Sequence, residues 1–440
     1  MSVLTVSPAR AVAFAVVDRV FEDGAWADRA LIGETRRAGL DPRDRALATQ
    51  LAFGTVQRAA TLDHVIGLLA GRPPADLDPA VRNSLRLGLF QLAFLERVPD
   101  HAAVGESVEL AKAASPRGAG LVNAVLRRGA REARALIAAL PDGTPEQAAL
   151  RHSHPEWIAR LWFEQLGPEA ARALMAAGNR PPEPVLRANT LRTTRDALAA
   201  ALPVGSRPAP GLPDALVLEA PFDAHGSELY AQGHFMPQSR AAQAVAQALD
   251  PKPGDRVLDC CAAPGGKATH LAALGARVVA VERDPGRARL LEATAARMGA
   301  DVEVRVADAT TLDEPGGYDG VLVDPPCSDL GTLALRPDAR WRKQPGDPAR
   351  LAQIQAAILA AAARTVRPGG VIVYSTCTIS PEENERQLEH FLAAHPAFTL
   401  AAASQPGVWD HPRVPGVIQT LPHRDHTDGF FIARLRKEAK

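Results

Sequence analysis

The chain has 440 residues, 46% of them hydrophobic and 23% charged. This composition predicts a folded protein of two or three domains and excludes wholesale disorder, collagen and coiled coil. Fifty basic residues balance fifty acidic ones, which excludes a uniformly basic nucleic-acid coat but not a local basic patch. Because no apolar run is long enough for a membrane helix and the N-terminus lacks a secretory pattern, we expect a cytoplasmic protein without a membrane span.

The region 1–140 is predicted to be an all-helical domain. Apolar residues recur at helical spacing over four segments, which are 11–20, 45–58, 81–95 and 103–113. Basic residues, among them Arg127 and Arg128, outnumber the single acid Glu132 within 112–134. This cluster is either a solvated helix face or a surface that contacts RNA phosphates.

The region 141–235 is predicted to be a helical linker followed by a small α+β connector. A turn at 141–145 precedes a helical segment at 155–177. The segments after it are a strand-like run at 184–191, a helix at 194–201 and a short apolar run at 214–220. The pattern does not define how these pieces are arranged.

The region 236–440 alternates short β-branched runs with helices. The strand candidates are 256–260, 277–282, 302–308, 319–324 and 371–376, with 430–435 as a possible last strand. The helix candidates include 240–249, 285–297 and 351–366. Such alternation predicts a parallel, doubly wound sheet, whose ligands bind outside the carboxyl ends of the strands.

A glycine-rich loop follows the first of these strands and ends at Lys267. Helix amides and this lysine favour an anionic group, although the loop is not a dinucleotide fingerprint. Glu282 closes the second strand, 23 positions after Asp259, where a carboxylate suits a ribose diol. The alternative is an ordinary acid that caps the next helix. Since Asp308 ends the third strand in the same way, the layout fits an adenosyl compound with a charged tail and no phosphate.

Thiols follow the fourth and fifth strands. Cys327 stands in the sequence Asp-Pro-Pro-Cys and Cys377 in Ser-Thr-Cys. Enzymes that methylate exocyclic amines have a motif similar to the first, with an aromatic residue instead of the cysteine. The two thiols either face one cleft or are small buried apolar groups. We expect no metal site, because Cys260 and Cys261 are adjacent and no cysteine has metal-ligand spacing.

Three strings resemble the RNA (cytosine-5)-methyltransferase superfamily. They are VLDCCAAPGGKATHLA (257–272), VDPPCSDLGTLALRPDARWR (323–342) and VYSTCTISPEENE (373–385). The segments 45–58, 100–112 and 120–128 resemble the NusB-like domain of bacterial 16S ribosomal RNA (cytosine-5)-methyltransferases of RsmB (Sun/Fmu) type. The resemblance covers nearly the whole chain. It implies a NusB-like domain at 1–140, a connector at 141–235 and a Rossmann-like methyltransferase domain at 236–440.

The resemblance implies S-adenosyl-L-methionine as cofactor. Its ribose would lie on Glu282 and its adenine near Asp308, while Asp324 would complete the pocket. The family usually has Asp at the place of Glu282, and either carboxylate can hold a diol. The methionine part would lie against the glycine-rich loop, formed by Cys261, Ala262, Ala263, Pro264, Gly265, Gly266 and Lys267.

The resemblance also implies roles for both thiols. Cys377 would add to C6 of cytosine, which turns C5 into a nucleophile for the methyl sulfonium. Asp324 would protonate N3, and Cys327 would remove the C5 proton so that the product is released. The family's motif usually reads Asp-Ala-Pro-Cys-Ser-Gly. Pro325 and Asp329 depart from it here, which affects the expected loop shape but not the thiol.

Ribosomal RNA is the expected partner, bound by a monomer. Cations and one aromatic side chain after Cys327 suit backbone contact plus base stacking, or else form a solvated face. The candidates are Arg336, Arg340, Trp341, Arg342 and Lys343. The alternatives are a transfer-RNA or DNA cytosine-5 methyltransferase and a non-catalytic RNA-binding assembly factor. By family analogy a DNA enzyme would attack with Cys327, so the presence of Cys377 favours RNA.

Overall fold

The computed structural model describes residues 6–402 and 409–439. The chain divides into two compact units. Unit 1 holds everything up to Pro181 together with Leu333–Lys343, and unit 2 holds Pro182–Thr332 and the chain from Gln344 onwards. The boundaries predicted near residues 140 and 235 do not coincide with this division.

Unit 1 is built from α-helices and short 3-10 turns. In chain order they are α1 (Pro8–Phe21), α2 (Ala27–Ala38), α3 (Pro42–Gln57), α4 (Ala59–Ala70), the turn Pro74–Asp76, α5 (Pro79–Phe94), α6 (Asp100–Ala114), the turn Pro116–Gly118, α7 (Ala119–Ala138), α8 (Pro145–His152), α9 (Glu156–Leu166) and α10 (Pro168–Ala177). The predicted helices correspond to α1, α3, α5 and α6, so the all-helical prediction is confirmed. Helical spacing did not identify α2 and α4, whereas α7 covers most of the basic cluster at 112–134, for which a helix face was one of the two interpretations.

Helix α5 is the centre of unit 1. Its leucines are buried around the whole circumference of the helix, including Leu85, Leu87 and Leu89, all with no exposed surface. It packs against α1, α3, α4, α6 and α7. A helix that is apolar on every side belongs in the interior of a bundle, and this one organises the other helices around it.

Unit 1 continues past residue 140 because α8, α9 and α10 pack on one another and α8 also packs on α4. The helix predicted over 155–177 is two helices. They separate at Gly167, which has a φ of +79°, a backbone conformation that glycine adopts much more easily than other residues. Pro168 then starts the second helix.

Unit 2 begins with a small antiparallel sheet. Its elements are β1 (Val185–Ala188), α11 (Arg195–Ala201), β2 (Ser206–Pro208), β3 (Ala215–Leu218), α12 (Glu228–Ala231) and β4 (Phe235–Pro237). The strand order is β2-β3-β1-β4. The predicted α+β character is confirmed, with β1, α11 and β3 at the expected positions. The three-residue strands β2 and β4 are too short to show a pattern in the sequence.

The rest of unit 2 forms an eight-stranded sheet with helices. In chain order the elements are α13 (Arg240–Leu249), β5 (Arg256–Asp259), α14 (Gly266–Ala273), β6 (Arg277–Glu282), α15 (Pro285–Met298), β7 (Val302–Val306), the turn Ala309–Thr311, β8 (Tyr318–Val323), α16 (Ala339–Arg342, in the unit 1 segment), α17 (Asp347–Thr365), β9 (Val366–Thr376), α18 (Glu385–Ala394), β10 (Phe398–Ala401), β11 (Ile418–Thr420), α19 (Pro422–Asp425) and β12 (Phe430–Lys437). All six predicted strands are present.

The strand order of this sheet fixes where a ligand can bind. It runs β10-β12-β9-β8-β5-β6-β7, with β11 paired to β12. Strands β9, β8, β5, β6 and β7 are parallel, while β12 joins β9 antiparallel. From β5 the chain moves to β6 and β7 on one side and then returns to β8 and β9 on the other. The crevice beyond the carboxyl ends of β5 and β8 is therefore the switch point where such sheets bind ligands.

The segment Leu333–Lys343 corrects part of the predicted RNA surface. Arg340 has no exposed surface, and its guanidinium donates hydrogen bonds to the carbonyl oxygens of Ser153 and Gly178 and to Oδ1 of Asn179, at 2.7–3.0 Å. The prediction that Arg340 contacts RNA is wrong, because these acceptors enclose the charge inside unit 1. The indole N–H of Trp341 donates to the Val56 carbonyl, and the ring packs on the core of unit 1.

Of the three remaining cations of this segment, which are Arg336, Arg342 and Lys343, the first two differ from each other. The guanidinium of Arg342 donates to the carbonyl oxygens of Gly24 and Ala25 and pairs with Asp338. Arg336 is exposed. The sequence pattern showed a run of cations but not that the interior of the helical unit supplies carbonyl acceptors for them. Separately, no helix in the described part of the chain is both long and apolar enough to cross a membrane.

We predict that Arg340→Ala lowers the free energy of unfolding by about 3–5 kcal/mol, because it leaves several buried carbonyl groups without a donor. Arg127→Ala is the matched control, since it removes the same side chain from an exposed position of unit 1 and should change stability by less than about 0.5 kcal/mol. Urea denaturation of both variants tests this, and equal stabilities would contradict the structural role.

Candidate active site

The glycine-rich loop between β5 and α14 lines a cavity of about 120 Å³ in unit 2. Gly265 has a φ of +106°, and a Cβ there would lie 2.8 Å from Leu291 Cδ1, so only glycine fits this turn. The cavity is lined by Gln238, Asp259, Cys261, Ala262, Ala263, Pro264, Gly266, Lys267 and Asp324. All predicted loop residues except Gly265 thus share one cavity with Asp324, whereas Gln238 and Asp259 were not predicted as site residues.

Lys267 is paired with a protein carboxylate. Its Nζ lies 2.6 Å from Asp324 Oδ2, and Ser375 Oγ donates to Asp324 Oδ1 at 2.7 Å. Burial alone would lower the pKa of Lys267, but the adjacent Asp324 reverses this and the pKa is raised. The anionic partner that the sequence analysis assigned to this lysine is therefore Asp324 itself. The pair connects the loops after β5 and β8 with the end of β9.

Asp259 ends β5 and is 1% exposed. Its Oδ1 accepts a hydrogen bond from the Cys261 amide at 3.4 Å, while its Oδ2 has no hydrogen-bond partner among the described residues. Burial, and then the charge of Asp324, raise the pKa of Asp259 to about 7. A buried carboxylate with an unsatisfied oxygen at the wall of a cavity is suited to a cationic or hydrogen-donating ligand.

Glu282 lies at the end of β6 and is buried, with 6% of its surface exposed. Its Oε1 accepts a hydrogen bond from the Asp284 amide at 3.0 Å, and its Oε2 is 3.6 Å from Arg287 Nε. The cap of α15 is Asp284, which accepts from the Arg287 amide. The N-cap of α15 is therefore Asp284 and not Glu282.

Asp308 is half-buried and follows β7 by two residues. Its Oδ1 accepts hydrogen bonds from the backbone amide and hydroxyl of Thr310, at 2.9 and 2.8 Å. These bonds lower the pKa of Asp308 and keep it ionised. It caps the short turn Ala309–Thr311, and neither it nor Glu282 belongs to the cavity lining.

The structure brings the two predicted thiols together. Cys327 Sγ and Cys377 Sγ are 3.2 Å apart, with Cys327 buried and Cys377 half-buried. Asp329 Oδ1 accepts from Cys377 Sγ at 3.1 Å and from Cys327 Sγ at 3.6 Å. The hydrogen bond with Cys327, burial and the nearby carboxylates raise the pKa of Cys377 well above its usual value. At neutral pH the site therefore holds a thiol rather than a thiolate.

A buried hydrogen-bond network holds the two thiol loops in place. Glu383 accepts from the Ser328 amide and from Gln355 Nε2, both at 2.9 Å, and also from the Ser328 hydroxyl. Tyr374 Oη donates to the Glu383 carbonyl at 2.6 Å, and Ser328 Oγ lies 2.6 Å from Thr378 Oγ1. The sequence analysis assigned Glu383 no role, although it lies in the quoted string 373–385. The signal available in the sequence was that Glu383 is an acidic residue inside a string that resembles the family.

The remaining predicted RNA contacts lie in unit 1. Arg127 and Arg128 are exposed on α7. Arg128 pairs with Glu132 at 2.9 Å and donates to the Leu69 carbonyl, whereas the Arg127 side chain extends from the helix into solvent. Both positions are accessible to a phosphate backbone.

Comparison with known families identifies three regions. A family described as 16S rRNA methyltransferase RsmB/F matches residues 246–436. The NusB family matches 7–131, and the ferredoxin-like domain of RsmF/B-like methyltransferases matches 154–225. The NusB match lies in the helical unit and the methyltransferase match covers nearly all of the eight-stranded sheet. The ferredoxin-like match covers β1, β2 and β3 of the small sheet and also α9 and α10 of the helical unit.

Comparison with individual proteins covers the chain from end to end. A probable ribosomal RNA small subunit methyltransferase B from Synechocystis is 37% identical, over 98% of this chain and 99% of that protein. Ribosomal RNA small subunit methyltransferase B from Klebsiella pneumoniae is 35% identical, over 97% and 98%. The crystal structure of PH0851 superposes with a TM-score of 0.82 at 26% identity, covering 99% of this chain and all of that one.

We predict that Asp259→Asn stabilises the protein at high pH. The pKa of Asp259 is raised, so the free energy of unfolding of the wild type falls as pH rises from about 4 to about 7. Asparagine removes this cost and keeps the Oδ1 acceptor. The gain should reach roughly 2–4 kcal/mol at about pH 8 and disappear near pH 4.

Denaturant unfolding at both pH values checks this, with exposed Asp301→Asn as the control. A gain that is the same at both pH values would show that ionisation of Asp259 carries no cost.

Proposed function

We propose a reaction for this chain from the premise that it belongs to the RsmB/F family of 16S rRNA methyltransferases. The proposed reaction is the transfer of a methyl group from S-adenosyl-L-methionine to carbon-5 of a cytosine in small-subunit ribosomal RNA. The observation that carries it is the pair of thiols 3.2 Å apart, beside the cavity at the switch point of the sheet. Methylation of an exocyclic amine or a ribose oxygen has no use for a nucleophilic thiol.

The cavity fits the charged groups of S-adenosyl-L-methionine. The unsatisfied Oδ2 of Asp259 would accept the cofactor's ammonium, and amides at the start of α14 would face its carboxylate. Glu282 would hold the ribose diol, since its helix-capping alternative is taken by Asp284. Asp308 stands one strand further along the same edge and would lie near the adenine. When bound, the cofactor supplies the electrophilic methyl group.

Cys377 is the proposed nucleophile. Its sulfur would bond to C6 of the cytosine and turn the ring into an enamine, whose C5 can attack the methyl group. Cys327 would later accept the C5 proton, which re-forms the double bond and expels Cys377. A pair of sulfurs 3.2 Å apart can serve both carbons, because C5 and C6 are adjacent in the ring.

Asp324 requires a modified role. It accepts hydrogen bonds from Lys267 and Ser375, so it carries no proton that it can donate directly. We expect protonation of cytosine N3 to draw on the Lys267 ammonium through Asp324. The target base must also leave its stack to reach these groups.

RNA contact is expected at exposed cations, namely Arg127, Arg128 and Arg336. Transfer RNA remains the alternative substrate, and an assembly factor without activity remains the alternative function. Methyl transfer from labelled cofactor to unmodified 16S rRNA and to transfer RNA, followed by nucleoside analysis, separates these possibilities. 5-Methylcytosine in the ribosomal RNA alone supports the proposal.

We predict opposite outcomes for the two thiol variants. Cys327→Ala should accumulate as a covalent RNA complex that survives denaturing electrophoresis, because the C5 proton cannot be removed. Cys377→Ala and the double variant should form no adduct and no 5-methylcytosine. Cofactor affinity, measured by calorimetry, should stay near that of the wild type in all three variants. Trapping by Cys377→Ala instead would assign the attack to Cys327, as in the DNA-type alternative.

We predict that Glu282→Ala weakens binding of S-adenosyl-L-methionine by roughly 1.5–3 kcal/mol, the usual range for hydrogen bonds to a charged group. Glu292→Ala, an exposed carboxylate on the following helix α15, is the control. Calorimetry gives both dissociation constants. Equal values would show that Glu282 does not hold the ribose.

A further inference from the structure

Asp329 is the acidic residue closest to the thiols, and the reaction proposed above gives it no role. Its Oδ1 accepts from Cys377 Sγ at 3.1 Å and from Cys327 Sγ at 3.6 Å. It occupies the position where the family's motif usually has glycine. A carboxylate at this place is therefore a property of this chain rather than of the motif.

The backbone explains how an aspartate can replace that glycine. Asp329 has a φ of +58°, in the left-handed region that glycine adopts freely and that Asp and Asn tolerate better than other residues. The loop is closed by hydrogen bonds from the Thr332 amide to the Asp329 carbonyl at 3.0 Å and from the Gly331 amide to the Cys377 carbonyl at 3.0 Å. These bonds hold the carboxylate against the end of β9.

The chemistry of Cys377 creates a need for a base. The pKa of Cys377 is raised by its hydrogen bond with Cys327, by burial and by nearby charges. A thiol must lose its proton as it attacks, because the thiolate is the nucleophile. Lys267 and Ser375 already occupy both oxygens of Asp324, whereas Asp329 already accepts from the Cys377 sulfur.

We propose that Asp329 is a catalytic general base for Cys377, an inference that rests on the proposed cytosine-5 reaction. As the Cys377 sulfur bonds to C6, its S–H bond breaks and the proton passes to Asp329 Oδ1. The adduct is an enamine, and its C5 then attacks the methyl group, which leaves S-adenosylhomocysteine. Asp329 is half-buried, so it can release this proton to solvent.

The same oxygen serves the second half of the reaction. With the first proton gone, Asp329 takes the proton of Cys327, and Cys327 can then accept the C5 proton. The C5=C6 bond re-forms, Cys377 leaves as a thiolate, and Asp329 returns a proton to it. The net result is one methyl group gained at C5 and one proton released to solvent.

If Asp329 acts as a general base, removing its carboxylate slows the attack of Cys377. A purely electrostatic role for Asp329 predicts that removing the carboxylate makes the attack faster. Its charge contributes to the raised pKa of Cys377, so a carboxylate that only repels the thiolate would slow the attack. Removing it would then accelerate the reaction at neutral pH. The two roles are distinguished by the direction of the change in rate.

The test is the rate of covalent adduct formation under single turnover, with saturating 5-fluorocytosine-substituted 16S rRNA and S-adenosyl-L-methionine. Fluorine at C5 blocks the elimination, so the adduct accumulates. The variants are Asp329→Asn, which keeps the side-chain shape, and Asp329→Gly, which restores the residue usual in the family and relaxes the backbone. Asp301→Asn, at an exposed position of unit 2, controls for the loss of a carboxylate.

We expect both Asp329 variants to form the adduct about 100-fold more slowly at neutral pH, the lower part of the usual range for general base catalysis. Their rates should rise with hydroxide concentration until they approach the wild type, whose rate should change little over the same interval. Cofactor affinity and thermal stability should remain near wild type. Rates in the variants that equal or exceed the wild-type rate at neutral pH would overturn the role of Asp329.

Failure of the underlying reaction looks different. In that case the wild-type protein itself forms no adduct, or forms one that persists in Cys377→Ala. A third outcome is that the wild type forms an adduct, that Cys377→Ala abolishes it and that Asp329→Asn forms it at the wild-type rate. This outcome supports the cytosine-5 reaction and contradicts only the role of Asp329 as general base.

Discussion

The ion pair between Lys267 and Asp324 is the interaction on which the site depends. It joins the loop after β5 to the loop after β8, and Ser375 adds the end of β9 through the second Asp324 oxygen. Strands β5, β8 and β9 are neighbours because the chain adds β6 and β7 on one side of β5 and then places β8 and β9 on its other side. The cavity and the thiol pair therefore both lie at the carboxyl ends of neighbouring strands. Methyl transfer requires such closeness, since its donor and acceptor must meet directly.

Sequence periodicity predicted most of this framework. The strands that precede the site consist largely of buried Val, Ile and Leu, and strand–helix alternation then determines which loops share an edge. Glu282, Cys327 and Cys377 were found from their places at strand ends. Elements shorter than four residues, such as β2 and β11, carry no periodic signal of their own, although each pairs with the next strand in the chain.

The errors share a physical cause, which is that sequence shows the type of a charge but not what surrounds it. Arg340 resembles its neighbour Arg336 in the sequence, yet backbone carbonyls enclose Arg340, whereas Arg336 is exposed. Lys267 was assigned an external anion, and the structure supplies Asp324 instead. Asp259 was treated as the end of a strand, and burial makes it a group that titrates near neutrality.

Burial also explains how the site can hold two thiols without being indiscriminately reactive. The hydrogen bond with Cys327, and then burial, raise the pKa of Cys377, so little thiolate exists at rest and oxidants or metals find a protonated sulfur. The raised pKa would also make the attack of Cys377 slow unless a proton acceptor lies within hydrogen-bond distance of its sulfur. In this chain Asp329 lies within that distance, 3.1 Å from the Cys377 sulfur. Asp329 thus allows Cys377 to remain a protonated, unreactive thiol until the target cytosine enters the site. The thiol proton then moves only as the carbon–sulfur bond forms.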